Sequence, residues 1–113
     1  MSYQQRDIVL IPVPFTDLST NKRRPVLVIS STTHNATSPD ILVAAITSNI
    51  QSPFGGVLID TPDMESGAMP RVSIIRPDKL YSLSDTLVVS HIGQLGESKF
   101  VEFLAALDTV LGR

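Results

Sequence analysis

Cysteine is absent from the 113 residues. Without it there is no disulfide framework, no thiolate nucleophile and no zinc site built on sulfur, which fits a reducing compartment. Long apolar runs are missing as well. None approaches the roughly 20 residues that a membrane-spanning helix requires, and the opening Met1 to Arg6 is polar, unlike the start of an export signal. The expectation is a cytoplasmic protein. Excess charge is small: nine Lys and Arg against eleven Asp and Glu leave a net charge of -2. The chain is therefore not of the basic kind that coats nucleic acid non-specifically, and any nucleic-acid contact has to be local. Histidine is scarce too. Neither His34 nor His91 is spaced to chelate a metal or to serve a serine nucleophile. There is no glycine-rich phosphate loop, no glycosidase-like carboxylate pair, no internal repeat and no low-complexity tract.

What is present is enough to fold. Hydrophobic residues make up 42 % and charged residues 18 %, well outside the composition of disordered chains. The length suits one domain covering residues 1–113. From Asp7 to Pro14 the β-branched run Ile8, Val9, Leu10, Ile11, Val13 predicts a short strand, and Pro25 to Ser30 predicts a second. Both are continuously apolar, which predicts burial on both faces. Between them, Thr16 to Arg23 reads as a surface loop. Ser31 to Asp40 is dense in Ser, Thr, Asn and Pro and reads as a turn or one short helix.

Ile41 to Ile46 and Val57 to Asp60 predict two more strands, separated by a loop through Asn49 to Gly56. Thr61 to Pro70, with two prolines, a glycine and no periodicity, is expected to be a mobile connection. Arg71 to Leu80 predicts a strand in which Pro77 marks an edge, a bulge or an end, and Leu87 to Ile92 predicts another. The apolar surroundings of His91 assign it a structural place, whereas His34 in its polar loop is a surface residue or a proton carrier.

Phe100, Phe103, Leu104, Leu107 and Leu111 then recur at helical spacing, widened by Val101 and Val110. Gly96 fits the N-cap, Glu97 the first turn and Gly112 the C-terminal stop. About six strands and one closing helix predict a mainly β fold with α, a curved antiparallel or mixed sheet with the helix packed on it.

The absent chemistries leave Arg, Lys, Asp, Ser and Thr, which suffice for phosphoryl work without a metal. Cleaving RNA through its own 2′-hydroxyl needs a base for that hydroxyl, an acid for the leaving oxygen and cations for the phosphate oxygens. Three segments place such groups where strands meet loops: Arg24-Pro25 in the basic cluster Lys22-Arg23-Arg24, Thr47-Ser48, and Arg76-Pro77-Asp78-Lys79. Taken singly, each is equally well a turn cap or a surface ion pair.

In order along the chain, however, these segments resemble the MazF/PemK/Kid toxin family. Arg6-Asp7-Ile8-Val9-Leu10-Ile11 looks like that family's first strand, and Lys22 to Ser30 like its Arg-Pro strand. Ala45-Ile46-Thr47-Ser48 looks like its third-strand ending. Ile74-Ile75-Arg76-Pro77-Asp78-Lys79 is similar to the Arg-x-Asp segment of Kid-like members, and His91 to Leu95 with the following helix is similar to the C-terminal element. The resemblance covers almost the whole chain.

It implies a small SH3-like barrel with a C-terminal helix, a homodimer, and a sequence-selective ribonuclease for single-stranded RNA that uses no metal or other cofactor. The implied products carry a 2′,3′-cyclic phosphate and a 5′-hydroxyl. By that likeness Asp78 is the base, Arg76 the leaving-group acid or charge stabiliser, Arg24 a second phosphate clamp and Thr47 a phosphate-orienting hydroxyl. Phe15, Asp17, Asn21 and Lys22, with Ser48, Asn49 and Gln51, are expected to hold flanking bases. The implied partners are messenger RNA and an antitoxin whose acidic or hydrophobic tail fills the RNA groove. Two departures stand out: Thr16 to Arg23 lacks the histidine of Kid-like members, and Pro77 precedes the acid. A gyrase-inhibiting toxin of the CcdB type and a non-catalytic binding module are the alternatives on the same fold. Arg24, Thr47, Arg76 and Asp78 together favour the enzyme.

Overall fold

The computed structural model of the chain describes residues 2–12, 22–51 and 56–113. Among these the elements follow as β1 (Asp7–Pro12), β2 (Arg23–Val28), α1 (Thr32–Thr37), β3 (Asp40–Thr47), β4 (Val57–Ile59), β5 (Met64–Gly67), β6 (Ser73–Ser84), β7 (Ser90–Leu95) and α2 (Glu97–Leu111). The strands form one antiparallel sheet in the order β4-β6-β3-β2-β1-β7-β5. The sheet curls as a small SH3-like barrel, of seven strands where the sequence predicts about six, with α2 packed on β4 and β6.

Successive side chains of a strand point to opposite faces, so the unbroken apolar runs feed two cores. Ile8, Leu27, Ala44, Ile46 and Ile75 meet Phe100 and Phe103 of α2 on one face. Val9, Ile11, Val26, Val28 and Val43 pack with Ile41 and Leu83 on the other. The expectation that the first two strands are buried on both faces is met.

The third predicted strand extends by one residue at either end, to Asp40 and Thr47. The segment predicted as turn or short helix is a short helix. The Ser31 hydroxyl caps α1 by accepting from the His34 N–H at 3.0 Å. Buried Asn35 donates to the carbonyls of Tyr3 and Ser30 at 2.9 and 3.2 Å.

Pro77 marks a bulge. Ala44 pairs with Leu80 and Ile46 with Ile75, so residues 76–79 of β6 all lie opposite Ala45. A ring that cannot donate a ladder bond is tolerated there because the ladder is already interrupted.

Two expectations need correction. Thr61 to Pro70 is a tied segment and not a loose connection. A 3-10 turn (Thr61–Asp63) starts on a reciprocal cap, in which Asp60 accepts from the Thr61 N–H and Asp63 from the Asp60 N–H. The Thr61 hydroxyl accepts from the Met69 N–H at 3.1 Å, and β5 pairs with β7. Periodicity is missing because β5 is a short edge strand held by its neighbour. Gly67 sits there at φ 75, where a Cβ would lie 2.1 Å from the Ile92 carbonyl oxygen.

The second correction concerns the wide apolar face of α2. Phe100 and Phe103 are buried, their ring centroids 6.1 Å apart, and Leu107 is partly buried. Val101, Leu104, Val110 and Leu111 are exposed. The stripe is wider than the β4 and β6 surface beneath it. The helix ends hold as predicted, with Gly96 at the N-cap and Gly112 in the left-handed region at φ 75. The strand predicted from Leu87 starts later, at Ser90, because a 3-10 turn (Asp85–Leu87) precedes it.

Candidate functional site

In an antiparallel sheet the end of one strand lies beside the start of the next. β6, β3, β2 and β1 are neighbours in that order, so one edge gathers the start of β6, the end of β3, the start of β2 and the C-terminal half of β1. A cavity of about 370 Å³ opens at this edge. Leu10, Pro25 and Ile46 form an apolar part of its lining, and Ser48 and Ser73 add hydroxyl-bearing residues. Around it stand Lys22, Arg23, Arg24 and Arg71.

The charges at this cavity are unbalanced. Of the nine Lys and Arg side chains, four others are engaged with carboxylates: Arg6 with Glu65 at 3.4 Å, Arg76 with Asp78 at 2.6 Å, Lys99 with Glu102 at 3.3 Å and Arg113 with Asp108 at 3.8 Å. The four cations at the cavity have no carboxylate partner among the described residues, and no acid is among the described residues lining it. Among its described residues, a chain of net charge -2 thus carries a local excess of positive charge in a concave, partly apolar setting.

The predicted residues divide into two groups. Lys22, Arg24 and Ser48 line the cavity. Thr47 does not, but it is adjacent: extending the Val26–Ala45 register by two residues places Arg24 across from Thr47. The Thr47 hydroxyl accepts from the Asn49 N–H at 3.1 Å, and the Asn49 side chain accepts from the Gln51 N–H at 3.2 Å. Thr47 and Asn49 therefore do serve as turn caps, and Gln51 ends that turn. Phe15, Asp17 and Asn21 lie outside the described residues, as does the tail of the first predicted strand beyond Pro12.

Arg76 and Asp78 form the second group, brought together by the bulge and not among the residues lining the cavity. Arg76 Nε donates to Asp78 Oδ1 at 2.8 Å and Nη2 donates to Oδ2 at 2.6 Å, a bidentate pair. The arginine is buried, whereas the carboxylate is a third exposed. The hydrogen bonds from Arg76 hold the Asp78 carboxyl below the usual carboxylate range against the opposing effect of burial. The same bonds raise the guanidinium above its ordinary value.

Arg71 and Ser73 are cavity residues that the sequence reading did not single out. Ser73 is buried, and its hydroxyl donates to the Arg71 carbonyl at 3.0 Å. The one signal was a basic residue at a predicted strand start, mirroring Arg24 ahead of its own strand. Only the β3–β6 register brings it to Lys22–Arg24 from nearly fifty positions away.

The histidines lie elsewhere. His34 is exposed on α1. His91 is exposed on β7 and not enclosed by its apolar neighbours, and its Nε2 lies 3.2 Å from Oδ1 of the buried Asp7. Asp7 also accepts from the Gln4 N–H at 2.8 Å. Among the described residues no three His, Asp or Glu side chains gather as metal ligands would, and no helix is long and apolar enough to cross a membrane.

Residues 4–111 match the family model described as PemK-like, MazF-like toxin of type II toxin-antitoxin system. Among solved structures, a MazE-MazF structure from Deinococcus radiodurans is similar over 99 % of this chain and 98 % of that one, with a TM-score of 0.75 and 19 % identity. An endoribonuclease from a mycobacterial species is similar over 99 % and 93 %, with a TM-score of 0.74 and 14 % identity. A mycobacterial endoribonuclease in complex with its cognate antitoxin covers 98 % and 94 %, with a TM-score of 0.69 and 15 % identity. At these identities the likeness is one of fold. No curated protein matches in sequence.

Proposed function

The chain belongs to the PemK-like, MazF-like toxins of type II toxin-antitoxin systems, and from that premise we propose that it is a metal-independent, sequence-selective endoribonuclease that cuts single-stranded RNA. Its products carry a 2′,3′-cyclic phosphate and a 5′-hydroxyl. The observation that carries this reading is the cavity at the strand-end edge, where Lys22, Arg23, Arg24 and Arg71 stand around an apolar floor without a neutralising acid among the described residues. A polyanion with flat apolar bases is the ligand that such a surface suits.

The reaction needs little covalent help from the protein. The 2′-hydroxyl beside the scissile phosphate attacks phosphorus and loses its proton, while the 5′ oxygen leaves and takes a proton from solvent water. Asp78 takes the 2′ proton. The Arg76 bonds keep it ionised, which is the form a base requires, and at the same time lower its proton affinity. Arg76, with its pKa raised further, serves as a stabiliser of charge on the phosphate oxygens and not as a proton donor. Arg24 is the second phosphate clamp. The Thr47 hydroxyl accepts from Asn49 N–H, which leaves its own O–H free to donate to a phosphate oxygen. Lys22, Ser48, Asn49 and Gln51, with Phe15, Asp17 and Asn21, hold the flanking nucleotides.

The enzyme acts in the cytoplasm as a homodimer and is restrained by a cognate antitoxin protein with an acidic or hydrophobic segment. The solved relatives with MazE or a cognate antitoxin support that partner class. The test is incubation of the purified protein with messenger RNA in a chelator, followed by end-group analysis. Fragments with cyclic phosphate and 5′-hydroxyl ends are expected; an RNA pool left intact would refute the reading.

A further inference from the structure

Arg71 has no part in the mechanism above, yet it stands at the same cavity as Arg24. The two arginines come from different parts of the sheet. Arg24 belongs to β2 and Arg71 stands two residues before the start of β6, with β3 between those strands. Two strand spacings put roughly 10 Å between the backbones that carry them. Leu10, Pro25 and Ile46 supply an apolar part of the same cavity's lining, with Ile46 on the strand between the two arginines. The cavity volume of about 370 Å³ is at the small end for ligand pockets. Nothing among the described residues neutralises either guanidinium.

Resting on the ribonuclease reading, we propose that this cavity seats a single RNA nucleotide, with Arg71 clamping the phosphate on one side of it and Arg24 the phosphate on the other. The base lies against the Leu10–Pro25–Ile46 lining, whose contacts are apolar and favour no single base edge. Ser48 and Ser73 are the hydroxyl-bearing residues at its rim, and the Ser73 hydroxyl is spent on the Arg71 carbonyl, which fixes the backbone from which the arginine projects. Ser73 is thus a positioning residue, and the Ser48 hydroxyl is the group left to contact the nucleotide. Arg71 is a binding residue: its phosphate is not the one that reacts, so it contributes equally to the ground state and the transition state. Uniform binding of that kind appears in KM and leaves kcat alone.

The experiment compares wild type, Arg71→Ala and Arg71→Lys on one cleavable oligoribonucleotide and on its 2′-O-methyl counterpart, which cannot react. For Arg71→Ala the expected result is a KM raised about tenfold with kcat within about twofold. Affinity for the methylated strand should fall by a similar factor, and the slope of log K against log salt should become shallower by about 0.7, one phosphate contact on a single strand. Arg71→Lys should recover the salt slope and much of the KM, because a point charge still reaches a phosphate. An unchanged KM and salt slope in Arg71→Ala, with wild type cutting normally, overturns the clamp alone. A loss confined to kcat overturns it too, since Arg71 would then act on the reacting group. Wild-type protein that neither binds nor cuts the RNA refutes the ribonuclease reading itself.

Discussion

The cations at the cavity and the cation at the bulge illustrate opposite uses of the same side chain. Lys22, Arg23, Arg24 and Arg71 are exposed and have no carboxylate partner among the described residues. Arg76 is buried and already holds Asp78 by two hydrogen bonds. Solvated, unpaired cations attract a polyanion with little cost of desolvation, but their long side chains are not oriented until it arrives. A buried guanidinium locked to a carboxylate is oriented before any substrate binds, and it sits where electrostatic interactions are stronger. On the proposed reading, one region captures RNA and the other is pre-organised for chemistry.

The sharpest way to break this contrast is Arg76→Ala. On the proposed mechanism it lowers single-turnover cleavage by about 10²–10³-fold, the scale for removing one pre-organised charge stabiliser. It also leaves the Asp78 carboxylate without Arg76, at an expected cost of about 1 kcal/mol to thermal or urea stability. That figure is kept small because the carboxylate is a third exposed. Cleavage at the wild-type rate would remove the bulge from the site.

Arg24→Ala is expected to be next, with cleavage down by about 10²-fold and stability unchanged within about 0.5 kcal/mol, since the side chain is exposed. A variant that loses stability instead would place Arg24 with the structural cations. Thr47→Val should cost about tenfold in rate from a lost donor to phosphate, together with a looser Asn49–Gln51 turn. Thr47→Ser, which keeps the hydroxyl, should retain most activity, and equal losses in the two variants would deny the hydroxyl its role.

The smallest effect is in pH. Because Arg76 lowers the Asp78 carboxyl in the folded state, the stability contributed by the pair is fully present above the unfolded carboxylate value of about 4. It is lost as pH falls through the depressed folded value. Urea midpoints measured from pH 7 to pH 3 should show a wild-type decline below about pH 4 that is smaller in Asp78→Asn, where only the other carboxylates contribute. Parallel curves would mean that the pair adds nothing to the fold.

Much of the fold was legible along the chain. The runs from Ile8 and Val26 are apolar at every position, which only a two-sided burial explains, and both cores draw on them. Gly96 and Gly112 announced the ends of α2 through backbone rules that act within a turn. Met64–Gly67 was not legible as a strand because its pairing with β7 supplies what its own side chains do not. The exposed half of the α2 stripe was not legible either, because periodicity reports which side chains share a face and not what lies under it. Within the candidate site, Arg24 and Ser48 stood out at strand–loop junctions and line the cavity, while the pairing of Asp78 with Arg76 was suggested by the family resemblance and not by the residues alone. Arg71 carried only the weak signal of a basic residue at a strand start, and its nearness to Lys22–Arg24 depends on register.

By itself the sequence determined most of the element types, the two-faced burial, the helix caps and the inventory of reactive groups, all of which follow from local sterics, apolar spacing and composition. Which charges stand together was decided by the tertiary structure. Strand register carried Arg71 to Lys22–Arg24, and a bulge opposite Ala45 closed Arg76 onto Asp78. Register depends on how distant strands share one pair of cores, so no short stretch of the chain contains it.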